Sequence, residues 1–185
     1  MGRCECRRLL PGGTRRCEEG GHVIPRILHQ TWRSIVFPVH LRPYREAWQR
    51  LHPDWDIRLW TDPENDALLG DGYPEFLPYF RNAQPTILRV DLVRLAYLHR
   101  YGGVYADLDY EPLRRFDNLL DTDRVLVARE RNGIGRTLRD RDYIINAFIA
   151  SPPGHPLWLD VMREMVRLYR PRGLLERHTS YVIRM

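Results

Sequence analysis

Between Ile87 and Tyr101, five positions fall at offsets 0, 4, 7, 11 and 14: Ile87, Asp91, Arg94, Leu98 and Tyr101. That spacing is one face of a helix of 3.6 residues per turn. The core-facing stripe of such a helix would normally be apolar throughout. Here two of its positions carry opposite charges three residues apart, close enough to pair. Pro85 and Thr86 open the helix, with Thr86 as its N-cap. Gly102 supplies the stop, and Gly103 lets the backbone turn sharply. Val104-Tyr105-Ala106 is then a short apolar run suited to a buried strand. Asp107 and Asp109 follow it, and the two-residue period of an extended chain puts both carboxylates on one side.

The remaining apolar runs give the rest of the order. Val23 to Trp32 predicts a first buried strand, with Pro25 at its start. Pro43 to Leu51 predicts a short amphipathic helix with Trp48 turned inward. Asp54 to Trp60 alternates polar and apolar and predicts a second strand. Thr61 to Asn65 is turn chemistry leading to a short helix over Asp66 to Leu69, and Gly70 to Pro78 reads as loop. Tyr79 to Ala83 leads into the central helix. After Asp109, strands are expected over Arg124 to Ala128 and Tyr143 to Ala150, separated by a polar, arginine-rich surface segment from Glu130 to Arg141. Ser151 to Pro156 is a turn, and Leu157 to Tyr169 a final helix. Strands alternating with helices predict an α/β fold, a mostly parallel sheet flanked by helices.

At 185 residues and 43% apolar content, the chain is the size of one domain with a core of its own. Residues 1–21 are rich in Arg, Gly and Cys without apolar periodicity and read as a disordered tail, leaving 22–185 as the domain. All 29 basic residues are arginine, and the net charge is +5. The arginines are scattered, with no basic run interleaved with aromatics, so nucleic acid is not an expected partner. The same charge suits a nucleotide diphosphate or an anionic lipid headgroup, and a peripheral membrane contact is an open expectation. The three cysteines, Cys4, Cys6 and Cys17, match neither a zinc spacing nor a disulfide framework. No apolar run has the length of a membrane span, and no signal-peptide core is visible.

Two carboxylates on one side repel unless a cation lies between them. Oxygen-only ligands suit Mn²⁺ or Mg²⁺. Asp-x-Asp alone carries little information, because the chain has three more: Asp54-Trp55-Asp56, Asp121-Thr122-Asp123 and Asp140-Arg141-Asp142. The copy at 107–109 differs in following a buried-type strand behind a capped helix with an internal Asp/Arg pair. Ligands of open α/β sheets bind at such strand ends.

This context resembles glycosyltransferase family 32, the DXD-motif sugar transferases, which include yeast-type α-1,6-mannosyltransferases and inositol phosphorylceramide mannosyltransferases. The family pattern is an Arg-x-Asp-x-x-Arg helix, then Tyr-Gly-Gly-(Val/Ile)-Tyr, then Asp-x-Asp. Here it is Arg89, Asp91, Arg94, Tyr101-Gly102-Gly103-Val104-Tyr105, Asp107 and Asp109. Ile24 to Trp32 matches the family's opening strand, and Asn146 to Pro156 its Asn…Gly-His-Pro segment.

The resemblance implies the GT-A nucleotide-sugar fold, which is Rossmann-like. It also implies retaining, Mn²⁺-dependent (or Mg²⁺-dependent) transfer from a GDP- or UDP-sugar to a hydroxyl acceptor. Mannose from GDP-mannose onto an inositol phosphorylceramide-type lipid is the expected reaction, with a glycan as another acceptor. Asp109 becomes the more direct metal ligand and Asp107 its neighbour, touching sugar or ribose and the metal shell; these two are the catalytic pair. Asp91, Arg94, His29, Gln30, Trp32 and Asn146 become donor-binding candidates, Trp32 by stacking on a base. From periodicity alone, His29 to Trp32 is simply a core strand, and Asn146 a buried amide tying down backbone. Arg94 is either a bidentate phosphate contact or the internal partner of Asp91.

The chain stops inside what reads as a strand, Tyr181 to Met185, so a C-terminal truncation is expected. That leaves open a non-catalytic domain that binds a sugar nucleotide or a lipid headgroup. Haloacid-dehalogenase-type phosphatases also place Asp-x-Asp after a strand, but want Thr or Val where Glu111 stands. If the chain follows the eukaryotic members, its place is the Golgi or endomembrane system, and otherwise the cytoplasm.

Overall fold

The structure is a computed structural model that describes residues 23–131 and 142–170. Ile27–Thr31 (β1), Asp56–Trp60 (β2), Gly103–Ala106 (β3), Leu126–Arg131 (β4) and Asp142–Ser151 (β5) form one sheet in the order β2-β1-β3-β5-β4. β1 pairs in parallel with β2 and β3, β5 runs antiparallel to β3, and β4 runs antiparallel to β5. Four strands therefore share one direction, and β5 alone is reversed. Helices Arg42–Leu51 (α1), Asp62–Gly72 (α2), Leu77–Asn82 (α3), Ile87–Tyr101 (α4) and Leu157–Leu168 (α5) cover the two faces. Leu69, Leu92, Leu98 and Met162 close the core between the sheet and α2 to α5. On the other face Leu28, Val104, Ala106 and Ala150 pack against Trp48 of α1.

α4 has the predicted length and stop. Its entry differs from the expectation: Thr86 has helical angles and makes no side-chain cap. The first bonds instead run from the Leu88 and Arg89 amides to the Pro85 and Thr86 carbonyls, so the opening turn is satisfied by the backbone. Gly102 and Gly103 then turn the chain back into β3 at φ +63° and +93°. A side chain at Gly103 would put its Cβ 2.6 Å from the Ile27 carbonyl oxygen, so the close approach of β1 to β3 also requires glycine there.

α2 is longer than the helix expected over Asp66 to Leu69, and takes in part of the predicted loop. Its start is fixed by the Glu64 carboxylate, which accepts the Thr61 amide N–H at 2.7 Å. A 3-10 turn over Pro74–Phe76 and then α3 occupy the remainder of that stretch. Of the surface segment expected from Glu130 to Arg141, the first two residues instead end β4, paired with Tyr143 and Asp142 of β5. The rest of it, the tail and the last residues, 181–185, lie outside the described residues.

Candidate functional site

β3 ends at Ala106 and the acidic pair lies just beyond it, at the carboxyl edge of the parallel strands. The expectation that both carboxylates extend one strand needs correcting. The Tyr110 amide donates to the Asp107 carbonyl at 3.0 Å, so residues 107–110 form a tight turn. The turn is anchored on the reversed strand, because the Asp107 amide donates to the Ala147 carbonyl at 3.0 Å. On the α1 face, the Trp48 indole donates to the Tyr110 carbonyl at 2.8 Å, and Tyr110 stacks on Phe148.

From the α4 face, Asp107 is gripped twice. The Tyr105 hydroxyl donates to its Oδ1 at 2.6 Å, and the Arg94 guanidinium stands 3.6 Å from the same oxygen. Arg94 is almost completely buried, with 1% of its surface exposed. Its Nη2 pairs with Asp91 at 3.0 Å, its Nη1 donates to the Asn146 carbonyl at 2.5 Å, and its Nε donates to the Val90 carbonyl at 3.3 Å. The guanidinium also lies 4.5 Å over the Tyr105 ring. Asp91 accepts a further bond from the Asn146 side-chain amide at 2.9 Å. Burial pushes the Asp91 carboxyl up from the ordinary carboxylate range, against the opposing pull of Arg94. Burial likewise raises the Tyr105 phenol, which keeps it a proton donor to Asp107.

Asp109 is exposed at the rim, and no side chain among the described residues pairs with its carboxylate. The donor set at this turn is carboxylate oxygen, with no imidazole or thiol. That chemistry fits a hard divalent cation, and one or two carboxylates suffice when diphosphate oxygens complete its coordination. Among the described residues no group of three His, Cys, Asp or Glu side chains is gathered. The fit is therefore to a cation shared between Asp109, Asp107 and a phosphorylated ligand.

The opening-strand candidates divide between the two faces of the sheet. His29 is fully buried on the α4 side, stacked 5.5 Å from Tyr97. Its Nε2 is 2.9 Å from the Gly102 carbonyl and its Nδ1 accepts the Trp60 indole N–H at 3.1 Å. Both ring nitrogens are thus engaged within the core, and burial lowers its pKa to about 4. Gln30 faces α1, where its Oε1 accepts from Arg45 at 2.8 Å. The Gln30 Nε2 and the Trp32 Nε1 are buried without a hydrogen-bond partner among the described residues. Two open donors at the carboxyl end of β1 are the kind of group a ligand would satisfy.

The structure thus gathers Asp91, Arg94, Asn146, Asp107 and, through the turn, Asp109. Gln30 and Trp32 lie one strand away at the same edge, and His29 stands apart in the core. Asn146 is exposed, not buried as expected, and works through both its side chain and its carbonyl. Two contributors were absent from the sequence candidates. Tyr105 precedes Asp107 by two residues, and the period of a strand could have paired them. Arg45 binds Gln30 from another element, and no local pattern announces it.

A profile of the family described as "Glycosyltransferase sugar-binding region containing DXD motif" matches residues 38–126, a span that holds α4, β3 and the acidic turn. Over that span the chain is similar to this DXD glycosyltransferase family. It is 41% identical over 137 residues to inositol phosphoceramide mannosyltransferase 2 of Schizosaccharomyces pombe. It is 34% identical over 148 residues to the mannosyl phosphorylinositol ceramide synthase CSH1 of Saccharomyces cerevisiae. These matches take in 74% and 80% of the chain but only 37% of either relative's length. The solved PaToxG glycosyltransferase has the same fold, with a TM-score of 0.58 at 17% identity, covering 76% of this chain and 60% of that one. Among the described residues, no helix is long and apolar enough to cross a membrane.

Proposed function

We propose that this chain binds a nucleotide sugar at the carboxyl edge of its parallel strands and transfers the sugar, with retention of configuration, to a hydroxyl acceptor. Our reading of the donor is GDP-mannose, and of the acceptor an inositol phosphoceramide-type lipid, in line with what the matched relatives' names describe. The observation that carries the proposal is the turn at 107–110, which leaves Asp109 exposed and unpaired beside a fixed Asp107.

Each residue then has a physical task. Asp109, with Asp107 beside it, would hold a divalent cation, which when bound supplies positive charge to the diphosphate leaving group. Tyr105 and Arg94 keep Asp107 in one orientation. Arg94 has all three nitrogens engaged within the protein, so it serves as a fixed counter-ion rather than a phosphate clamp. Asn146 closes that network from β5. The open amide of Gln30 and indole N–H of Trp32 are available to donor atoms.

A second reading, a domain that binds the sugar nucleotide without turning it over, is favoured by the lack of a three-ligand acidic group among the described residues. Donor hydrolysis separates the two. The folded chain is incubated with Mn²⁺ or Mg²⁺ and a panel of UDP- and GDP-sugars, with Mn²⁺ binding followed in parallel by electron paramagnetic resonance. Asp109→Asn is expected to lose both nucleotide release and most Mn²⁺ affinity. Donor binding without nucleotide release, from every donor tried, would leave the binding domain.

A further inference from the structure

Three of the four most exposed large apolar side chains among the described residues belong to a loop at the carboxyl edge that the proposed chemistry does not use. Leaving β1, the chain runs Trp32-Arg33-Ser34-Ile35-Val36-Phe37-Pro38 into a 3-10 turn over Val39–Leu41 and then α1. Ile35, Val36 and Val39 are 78%, 76% and 72% exposed. α1 runs antiparallel to β1 and β2, so its start, and this loop with it, lies at the same edge as the acidic turn. Two more exposed apolar residues reach that edge by other routes. Ile87, 55% exposed, begins α4 one turn before Asp91, and Ile144, 60% exposed, precedes Asn146 on the reversed strand β5.

Isolated exposed apolar residues need no explanation, but several gathered on one rim mark an interaction surface. The charge around them narrows the partner. From Trp32 to Arg45 the chain carries Arg33, Arg42 and Arg45 and no acidic residue. Arg33 and Arg42 are exposed. The loop itself sets apolar side chains beside exposed arginines and carries no acid. The exposed acids of the same edge, Asp109 and Asp62 (whose amide donates to the Arg33 carbonyl at 3.4 Å), belong to other segments, so the loop is the part suited to a negatively charged lipid interface.

We propose that this edge docks on an anionic lipid bilayer, with Ile35, Val36 and Val39 entering the headgroup boundary and Arg33 and Arg42 meeting lipid phosphates. The Asp107–Asp109 turn then faces the layer in which an inositol-bearing headgroup lies. The docking deepens the lipid-acceptor reading above and rests on it for its purpose, while its evidence is the exposure and charge of the loop.

The test is flotation of the full chain with vesicles of phosphatidylcholine alone and of phosphatidylcholine mixed with phosphatidylinositol. The chain is expected to float with the mixed vesicles and much less with the neutral ones. The triple variant Ile35→Asp, Val36→Asp, Val39→Asp should remain in solution with an unchanged thermal melt. Arg42→Ala should weaken binding about fivefold, the share expected of one basic residue at an anionic surface. Flotation indifferent to phosphatidylinositol, equal flotation of the triple variant, or none at all overturns the proposal. So does a dimer of the native chain that the triple variant dissociates, which would assign the face to a second copy. Nucleotide release measured without vesicles tests the catalytic reading separately. A chain that floats but releases nothing keeps the docking and loses the transferase. One that releases nucleotide but does not float does the reverse.

Discussion

Acid is expected to destabilise the folded chain by about 3 kcal/mol through one side chain, His29. In the native state its imidazole is sealed between Tyr97, Trp60 and the Gly102 carbonyl, and burial holds its pKa near 4 in place of the ordinary 6.5. Each tenfold change in proton affinity is worth 1.36 kcal/mol, so the gap amounts to about 3 kcal/mol. The sign follows from proton counting. Between pH 6.5 and about 4 the unfolded chain binds a proton at His29 and the folded chain does not. Stability therefore rises with pH through that window. The contribution is complete above the unfolded value and is lost as pH falls through the folded one.

Urea denaturation followed by tryptophan fluorescence at pH 7, 6, 5 and 4 measures it, with His29→Gln as the reference. Glutamine can keep a donor toward the Gly102 carbonyl but does not titrate. At pH 7 the variant should be the less stable by about 2 kcal/mol or more, from the lost ring packing. The difference should then shift by about 3 kcal/mol in the variant's favour as pH reaches 4. His52 and His99, whose pKa values burial also lowers, are common to both proteins and cancel in the comparison. A difference that stays constant from pH 7 to 4 would mean that His29 protonates freely in the folded state. The sealed core position would then be wrong, and a donor-facing role for His29 would reopen.

Three further outcomes probe the rest of the site. Arg94→Met should cost about 3–5 kcal/mol by leaving Asp91 buried without its counter-ion. Thermal melting should fall by about 6–20 °C, and adding Asp91→Asn should recover part of it; a loss under about 1 kcal/mol would contradict the hub geometry. Tyr105→Phe should change stability by only about 1 kcal/mol yet weaken Mn²⁺ binding about 10–100-fold, as losing an outer partner of a ligand does. Unchanged Mn²⁺ affinity, titrated by electron paramagnetic resonance, would deny that Asp107 is a ligand. Gly103→Ala should destabilise by at least about 2 kcal/mol, since positive φ and the clash with the Ile27 carbonyl act together; a native melting curve would refute it.

What could be read from the sequence was local. α4 and β3 follow from a 3.6-residue stripe, two glycines and an apolar run, and the acidic pair lies where that reading put it. α2 was underestimated because its Asp, Asn and Gly residues weigh against a helix. The readable signal was Thr61 three residues ahead of Glu64. The turn at 107–110 was missed because extending a strand's period past its last residue assumes a pairing partner that β3 no longer has there. Gln30 and His29 are adjacent in sequence and so face opposite ways, a consequence of strand geometry that motif matching passes over. The link from Asn146 to Asp91 spans 55 residues and exists only because β5 is reversed beside β3. No window along the chain contains it.

That reversed strand explains why two neighbouring carboxylates differ. A guanidinium buried to the extent of Arg94 must have its charge and its N–H groups satisfied. α4 alone offers the Val90 carbonyl and Asp91, and β5 adds the Asn146 carbonyl. With Arg94 fixed in that way, its Nη2 also reaches Asp107, and the Tyr105 hydroxyl restrains the same carboxylate oxygen. Asp107 is thereby tied to the scaffold. Asp109 lies two residues on, past the crest of the turn, and none of these groups reaches it. A rigid acid beside a free one suits a cation that must be held firmly on the protein side and still accept the oxygens of an arriving diphosphate. If Asp109 were tied down as Asp107 is, it would have little capacity left to share; if neither were tied, two mobile like charges would move apart before a cation could bridge them. The asymmetry is what the Arg94 network supplies, and it makes Asp109 rather than Asp107 the residue whose amide variant should remove metal binding while leaving the fold intact.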